Sequence, residues 1–393
     1  MLRSRLLVFS VLTGVFASGY GVMFTVLDDY RDKYGISAAA LGAVVAVGFF
    51  ASFLAQIFLA PLADRGFARR LVVIGMAINV VGLIGMGFGT TLSVLLISRI
   101  VTGIATGLAL PAMRRIVILS DPENLGRNVG NLLAFDVAGF AFGPAISAVL
   151  VGPFGIAAPF LVIAAIMVVL LPVVARFDVD ESERSSTTNA RFAFDLLASK
   201  PYVGALCLGA GLFVMIGTFD ALWVLVLDDL RTADWIANLG IVLFAVPMVL
   251  LSSYGGRLSQ RVGPFRVGSV GLIIASVFMF MYGHLPSGAA MFAVAMLHAL
   301  NDGLTVSSSG IAVGMVSPDD RMAGAQGLLG GTQTLVGGIA ALTAGLLYEA
   351  GGRAIAYTVC AVVVFVLAVF GWRLGRHTTP VAIDTVPECT SAS

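Results

Sequence analysis

Apolar residues in this chain come in long unbroken runs separated by short charged stretches, without the every-other-residue alternation of a half-buried strand. Runs long enough to cross a bilayer fall near 6–27, 37–60, 71–89, 92–113, 128–151, 157–175, 201–227, 236–255, 267–284, 289–316, 323–347 and 354–372. About 20 apolar residues cross the hydrocarbon core, so the pattern predicts twelve transmembrane helices. Only helices or closed barrels satisfy the backbone in lipid, and the missing alternation leaves helices. The expected class is an all-α integral membrane protein.

The polar interruptions repeat. Ala60-Pro61-Leu62-Ala63-Asp64-Arg65-Gly66-Phe67-Ala68-Arg69-Arg70 returns as Gly256-Arg257-Leu258-Ser259-Gln260-Arg261-Val262-Gly263-Pro264-Phe265-Arg266, 196 residues on in a chain of 393. Val26-Leu27-Asp28-Asp29 closes the first run, and Val226-Leu227-Asp228-Asp229 closes the seventh. Two echoes at nearly half the chain length predict two parallel, pseudo-symmetric six-helix bundles, with a site at their interface near mid-membrane. The expected layout is a first bundle over 1–176, a cytoplasmic linker over 177–200, a second bundle over 201–376 and a disordered cytoplasmic tail over 377–393. The linker reading rests on Asp178, Asp180, Glu181, Glu183 and the run from Ser182 to Thr188.

Composition and charge sharpen this picture. Hydrophobic residues make up 59% of the chain and charged residues 11%, against about 25% charged in a soluble domain, so a bilayer has to supply part of the solvent. With both ends in the cytoplasm, the outer segments hold only Arg31, Lys33, Arg231 and Arg353, and the inner ones hold the other cations except Arg99, which lies within a span. That bias places the chain in the cell membrane as a multi-pass protein. Arg3 and Arg5 ahead of an apolar run mimic a signal peptide, but the run is long and lacks a small-residue cleavage site, so a retained first span is expected. Cys207, Cys360 and Cys389 have no paired spacing and imply neither a disulfide framework nor a metal site. The net charge of +1 points to no nucleic-acid partner. No Gly-x-x-x-x-Gly-Lys-Ser/Thr loop is present, so no nucleotide cofactor is expected.

The stretch Pro61 to Arg70 resembles the loop between spans two and three of the major facilitator superfamily, with Ala60 in place of the usual glycine and Gly66 one place early. The resemblance implies that Asp64, with the nearby Arg65, Arg69 and Arg70 and with Arg261 in the second copy, forms an inner-side latch with helix ends of the other half, and that Asp64 holds an outward-facing state. Gln260 stands where Asp64 does, which implies a weaker second latch. Arg99-x-x-x-Gly103-x-x-x-Gly107 is similar to the family's fourth-helix signature, whose arginine is linked to proton movement. Gly139-x-x-x-Gly143-Pro144 resembles the fifth-helix signature of the family's antiporters, with Ser147-Ala148 in place of the final glycine pair. It implies tight packing against the neighbouring half and export rather than uptake. Read without the family, these would be a topology-fixing basic loop, an arginine reaching for the near interface, and generic small-residue packing.

Polar residues within spans are costly in lipid and mark pathways. Asp136, Asp220 and Asp302 are candidate proton sites, because a carboxyl in a low-dielectric interior can hold a proton reversibly. His298 and Asp302 share a helix face with Asn301 adjacent, and this cluster is expected to line the cavity or to form a structural network. Phe135, Met215, Phe219 and Trp223 are candidates for a pocket wall or for plain packing. The acids Asp28, Asp29, Asp228 and Asp229 read as outer gates or interface anchors. Asp28-Asp29-Tyr30-Arg31-Asp32 also fits the Asp-Asp-x-x-Asp magnesium-diphosphate pattern of prenyl-transferring enzymes, but the second copy loses that spacing, and no metal site or enzyme is expected. The expected function is secondary transport, as proton-coupled efflux of a small organic or amphipathic compound by alternating access. The rivals are proton-linked or uncoupled uptake of a sugar or organic acid and, more remotely, a membrane enzyme. The expected partners are the substrate, protons and lipid, with the protein acting as a monomer and driven by the proton gradient without a cofactor.

Overall fold

The structure, a computed structural model, describes residues 2–177 and 192–378. The linker acids Asp178, Asp180, Glu181 and Glu183, the run from Ser182 to Thr188, Arg184, Arg191, Cys389 and tail residues 379–393 lie outside the described residues. All regular structure among the described residues is helical. The first half consists of α1 (Leu2–Thr25), the short α2 (Leu27–Tyr34), α3 (Ala38–Phe58), α4 (Ala68–Phe88), α5 (Leu92–Ser120), α6 (Leu125–Phe154) and α7 (Ala157–Ala175). The second half consists of α8 (Lys200–Asp229), α9 (Asp234–Val262), α10 (Pro264–His284), α11 (Gly288–Thr305), α12 (Ser308–Val316) and α13 (Met322–Gly375).

Among the described residues, eleven helical stretches are long and apolar enough to span a membrane, and one of them, α13, joins two helices across a break. Gly352 has φ of 72° and ψ of −177°, a conformation open to glycine, and it breaks the long helix beside Gly351. Before the break, Ala325 accepts a hydrogen bond from the Tyr202 hydroxyl; after it, Gly371 packs on Gly204 and Leu208 at the same end of α8. The chain therefore reverses at Gly351–Gly352, and twelve crossings result, as the run pattern predicts. The tenth crossing is made of α11 and α12, interrupted at Val306–Ser307.

Two boundaries depart from the sequence reading. α5 continues to Ser120, so Arg114 and Arg115 lie inside the helix, and Arg99 is not the one arginine within a span. α9 continues through Gly256 to Val262, so the second charged stretch is helix up to Gly263 rather than a turn. Hydropathy marks where the bilayer ends, but backbone hydrogen bonding carries a helix past that level.

The buried residues form two large apolar cores. One runs from Phe9 to Val174 with Ala323 added; the other runs from Ala193 to Ala368 with Ile57 added. Many large apolar side chains face outward, among them Val149, Phe154, Leu250 and Leu342, at 70%, 72%, 73% and 67% exposure. On this scale such a surface marks a lipid-facing belt. The halves meet chiefly along α6 against α9 and along α3 against the first part of α13.

Candidate functional site

A cavity of about 410 Å³ lies between the halves, lined by residues from both. It is closed at the end where Asp64 lies. Gly126 of α6 packs so closely on Gly256 of α9 that a methyl group on either would strike the other's backbone, and Gly130 sits in the same way on Ser252. Gln56 of α3 donates to the Thr334 hydroxyl at 3.4 Å. The Asp64 carboxylate accepts hydrogen bonds from the backbone N–H groups of Ala323 (2.8 Å) and Gly324 (2.7 Å), at the N-terminus of α13. The Gln260 Oε1 accepts from the Gly126 N–H at 2.7 Å, at the N-terminus of α6. These cross-half contacts all fall at one end, so the cavity opens toward the other.

Helix direction sets the depth of each polar group. α5 runs from the open end to the closed end, and α8 runs the opposite way. Arg99 and Asp220 therefore sit at similar depth, each about 10 to 14 Å in from the open end by helical rise. The Arg99 guanidinium lies 4.9 Å from the Tyr20 ring centroid, and its Nη1 donates to Thr102 at 3.2 Å. Its Nε has no hydrogen-bond partner. Tyr20 packs edge-on to Phe24 and Phe49, while on the facing wall Phe219 stacks on Trp223 and Phe244.

Deeper in, His298 and Asp302 line the cavity, buried to 1% and 4% exposure. His298 Nε2 lies 3.5 Å from the Asp302 carboxylate and 3.0 Å from the Met215 sulfur, and its Nδ1 lies 3.0 Å from the Tyr282 hydroxyl. Asn301 donates to Asp302 at 3.2 Å and to the Gly271 carbonyl at 3.1 Å. Deepest are Arg114 and Asp136, which act on each other electrostatically.

Several placements differ from the sequence reading. The cation that meets Asp64 is Arg115, whose Nε donates to it at 2.9 Å with both side chains buried, rather than Arg65, Arg69 or Arg70. Arg69 donates to the Phe177 carbonyl, Arg70 lies over the Phe67 ring, and Arg65 and Arg261 are exposed. Gly139 and Gly143 pack α6 against Gly14 and Gly21 of α1, within one half, and not against the neighbouring half as expected. Gly103 and Gly107 likewise seat α5 on Gly48, Ser52 and Ala55 of α3, and Pro144 lies inside α6. Asn301 faces α10 rather than the cavity, Phe135 is not among the lining residues, and Trp223 is buried behind Phe219. Asp28 pairs with Arg31 at 3.0 Å, and Asp229 accepts from the Tyr348 hydroxyl, so these outer acids are partnered within their own halves. Asp228 is exposed, and Asp29 is half-buried.

Sequence reasoning missed Arg114, Tyr20, Gln56 and the glycine contact between α6 and α9. The spacing Gly126-x-x-x-Gly130 was visible and is the signal that could have found that contact.

Two packed helical halves around a cavity, closed at one end and open at the other, are the architecture of two-repeat membrane transporters. The sequence profile described as Major Facilitator Superfamily matches residues 8–230 and 221–388, and the chain belongs to that family. Over 129 residues it is 27% identical to the quinolone resistance protein NorA of Staphylococcus aureus, a match that spans 33% of this chain and 33% of NorA. The human organic anion transporter MFSD10 superposes with a TM-score of 0.77 at 15% identity, covering 94% of this chain and 99% of that one. The fucose:proton symporter FucP of E. coli superposes with a TM-score of 0.74 at 14% identity, covering 94% and 99%. The chain is a multi-pass membrane protein of that family, whose members named above, MFSD10 and FucP, are transporters.

Proposed function

We propose that this transporter exports a small amphipathic organic compound in exchange for protons, by alternating access. The observation that carries the reading is Asp302. It lines the cavity shared by the halves, and its contacts are His298 and Asn301, with no arginine or lysine among them. A carboxyl held this way can gain or lose a proton without breaking an ion pair. Rocking of the halves changes which side supplies its water, and with it the proton's route. Asp136 beside Arg114 is the second candidate on that route. Asp64 with Arg115 holds the closed end, and release of that contact accompanies opening to the other side. NorA's resistance activity, together with the Gly139 to Pro144 motif, supports export over uptake. The charge bias of the loops supports a cell-membrane protein with cytoplasmic termini, working as a monomer without a cofactor.

The test is transport in proteoliposomes under an imposed pH gradient. Export-type coupling moves the compound against the proton flow, and movement with that flow identifies an importer instead. Asp302→Asn is expected to lower gradient-driven transport at least about tenfold, equivalent to about 1.4 kcal/mol of coupling, while leaving exchange of labelled for unlabelled compound in place. Full gradient-driven transport by both Asp302→Asn and Asp136→Asn would sink the coupling assignment.

A further inference from the structure

We infer that protons leave Asp302 for the inner side through the body of the second half, behind the central cavity, along a hydroxyl file made by Ser308 and Ser259. The inference rests on reading Asp302 as the proton carrier, and it names the route and the residues that position it.

The run Thr305-Val306-Ser307-Ser308-Ser309 puts four hydroxyls into the tenth crossing, where polar groups are costly and mark pathways. It sits at the interruption between α11 and α12, on the closed-end side of Asp302. A second void of about 10 Å³ lies there, lined by Asp302, Thr305, Ser308 and Ser309 together with apolar residues of α8 and α10. A single buried water needs about 10 to 15 Å³ and two or more polar partners, which this void supplies. Asp302 also lines the large cavity, so it stands between the two spaces. Its contacts with Asn301 and His298 both fall on Oδ1, which leaves Oδ2 for an exchanging proton. Beyond the void, the Ser308 and Ser259 hydroxyls lie 2.7 Å apart, and Ser259 is in the last turn of α9. On α10, Gly271 and Gly268 leave the room that Thr305 and Ser308 fill. His298 and Tyr282, the titratable neighbours of Asp302, stand on its open-end side. Among the described residues, Asp302 is the one titratable group that lines the smaller void.

A hydroxyl both donates and accepts, so it can take one proton as it gives up another. Asp302 gives its proton to water in the void, that water gives one to Ser308, Ser308 gives one to Ser259, and Ser259 gives one to water at the inner surface. Asp302 ends as a carboxylate, and every hydroxyl ends as it began. In the present state the file is sealed, since Ser259 and Ser308 are 0% and 1% exposed. The seal belongs to the contact between the halves. Ile311 of α12 packs with Ile118 and Leu125 of the first half, and Gly310 and Gly314 lie against Val129, Leu125 and Ile118. Parting of the halves takes those side chains off α12 and admits water to the inner end of the file. A compound then occupying the cavity covers Asp302 from the front while the proton leaves behind it, so the two need not pass one another.

Breaking the seal alone tests this, and no transported compound is needed. Ile311→Ser lets water reach the file while the large cavity stays open to the other side, so Asp302 then exchanges protons with both. The full chain is reconstituted in proteoliposomes with pyranine inside, and valinomycin with potassium balances charge. Proton entry under a pH gradient is expected to be at least about tenfold faster than in wild type, as when an apolar constriction is wetted. Adding Asp302→Asn should return the leak to the wild-type rate, and adding Ser308→Ala should remove most of it. Ser308→Thr, which keeps a hydroxyl, should leave the leak in place, and this separates the hydroxyl from packing. Leu125→Ser breaks the same seal from the first half and repeats the test should Ile311→Ser not fold. No leak in either folded variant, or a leak that survives Asp302→Asn or Ser308→Ala, would overturn the inference. The leak is read without export of any compound. Unchanged gradient-driven transport by Asp302→Asn therefore counts against the coupling assignment, and a missing leak counts against this route alone.

Discussion

The stretches around Asp64 and Gln260 occupy the same place in the two halves and reach across the interface in the same way. Each puts one side chain on the N-terminus of a helix in the other half: Asp64 on α13 and Gln260 on α6. Helix N-termini present unpaired N–H groups and a partial positive charge, so either an amide oxygen or a carboxylate can cap them. The difference is in what completes the contact. Asp64 is 6% exposed and paired with Arg115, itself 1% exposed. Gln260 carries no charge, and its Nε2 donates to the Glu123 carbonyl at 2.9 Å. One geometric device is thus built twice, once with a buried ion pair and once with a neutral amide. The ion pair makes the first copy much less tolerant of losing one partner, because the remaining charge stays buried.

Substitutions can break or sharpen that contrast. The largest effect is expected for Asp64→Ala, which takes the carboxylate away from the buried Arg115 and from two N–H groups and should cost the closed end about 3 to 5 kcal/mol. A cysteine at Gln56, buried in the closed interface, should then label far faster in membranes; unchanged labelling would remove the ion pair from the closure. Next comes Gly256→Val, which forces α6 away from α9 at the glycine contact and should cost about 1 to 3 kcal/mol, read by the same reporter. Adding Arg115→Met to Asp64→Ala should recover part of the lost closure, because the buried guanidinium that has lost its carboxylate is then removed as well. A double-mutant coupling energy near zero would contradict the pairing. The smallest effect is expected for Gln260→Ala, at about 1 kcal/mol. A cost as large as that of Asp64→Ala would show that charge is not what separates the two copies.

Much of this protein was legible before any fold was known. The twelve runs, the half-length echo, Asp64, and the polar residues Arg99, Asp136, Asp220, His298 and Asp302 at or beside the cavity all stand out because polar groups are rare in lipid-spanning segments. The losses have a common cause. Arg114 and Arg115 read as loop charges because hydropathy fades before α5 ends, and adjacent residues on a helix point in different directions. One of them therefore enters the cavity, and the other meets Asp64. The antiporter-like glycines were assigned to the wrong neighbour, because small residues declare close approach without naming the helix approached.

The sequence by itself determined the helical membrane class, the number of crossings and the duplicated plan, because bilayer thickness and backbone hydrogen bonding leave a long apolar run few alternatives. Tertiary structure alone decided that Arg115 rather than a loop arginine meets Asp64, that Gly126 and Gly256 bring the halves together, and that Arg99 and Asp220 share one depth on opposite walls. Those pairings join residues 51 to 130 positions apart, and only the packing of whole helices against one another brings them within reach.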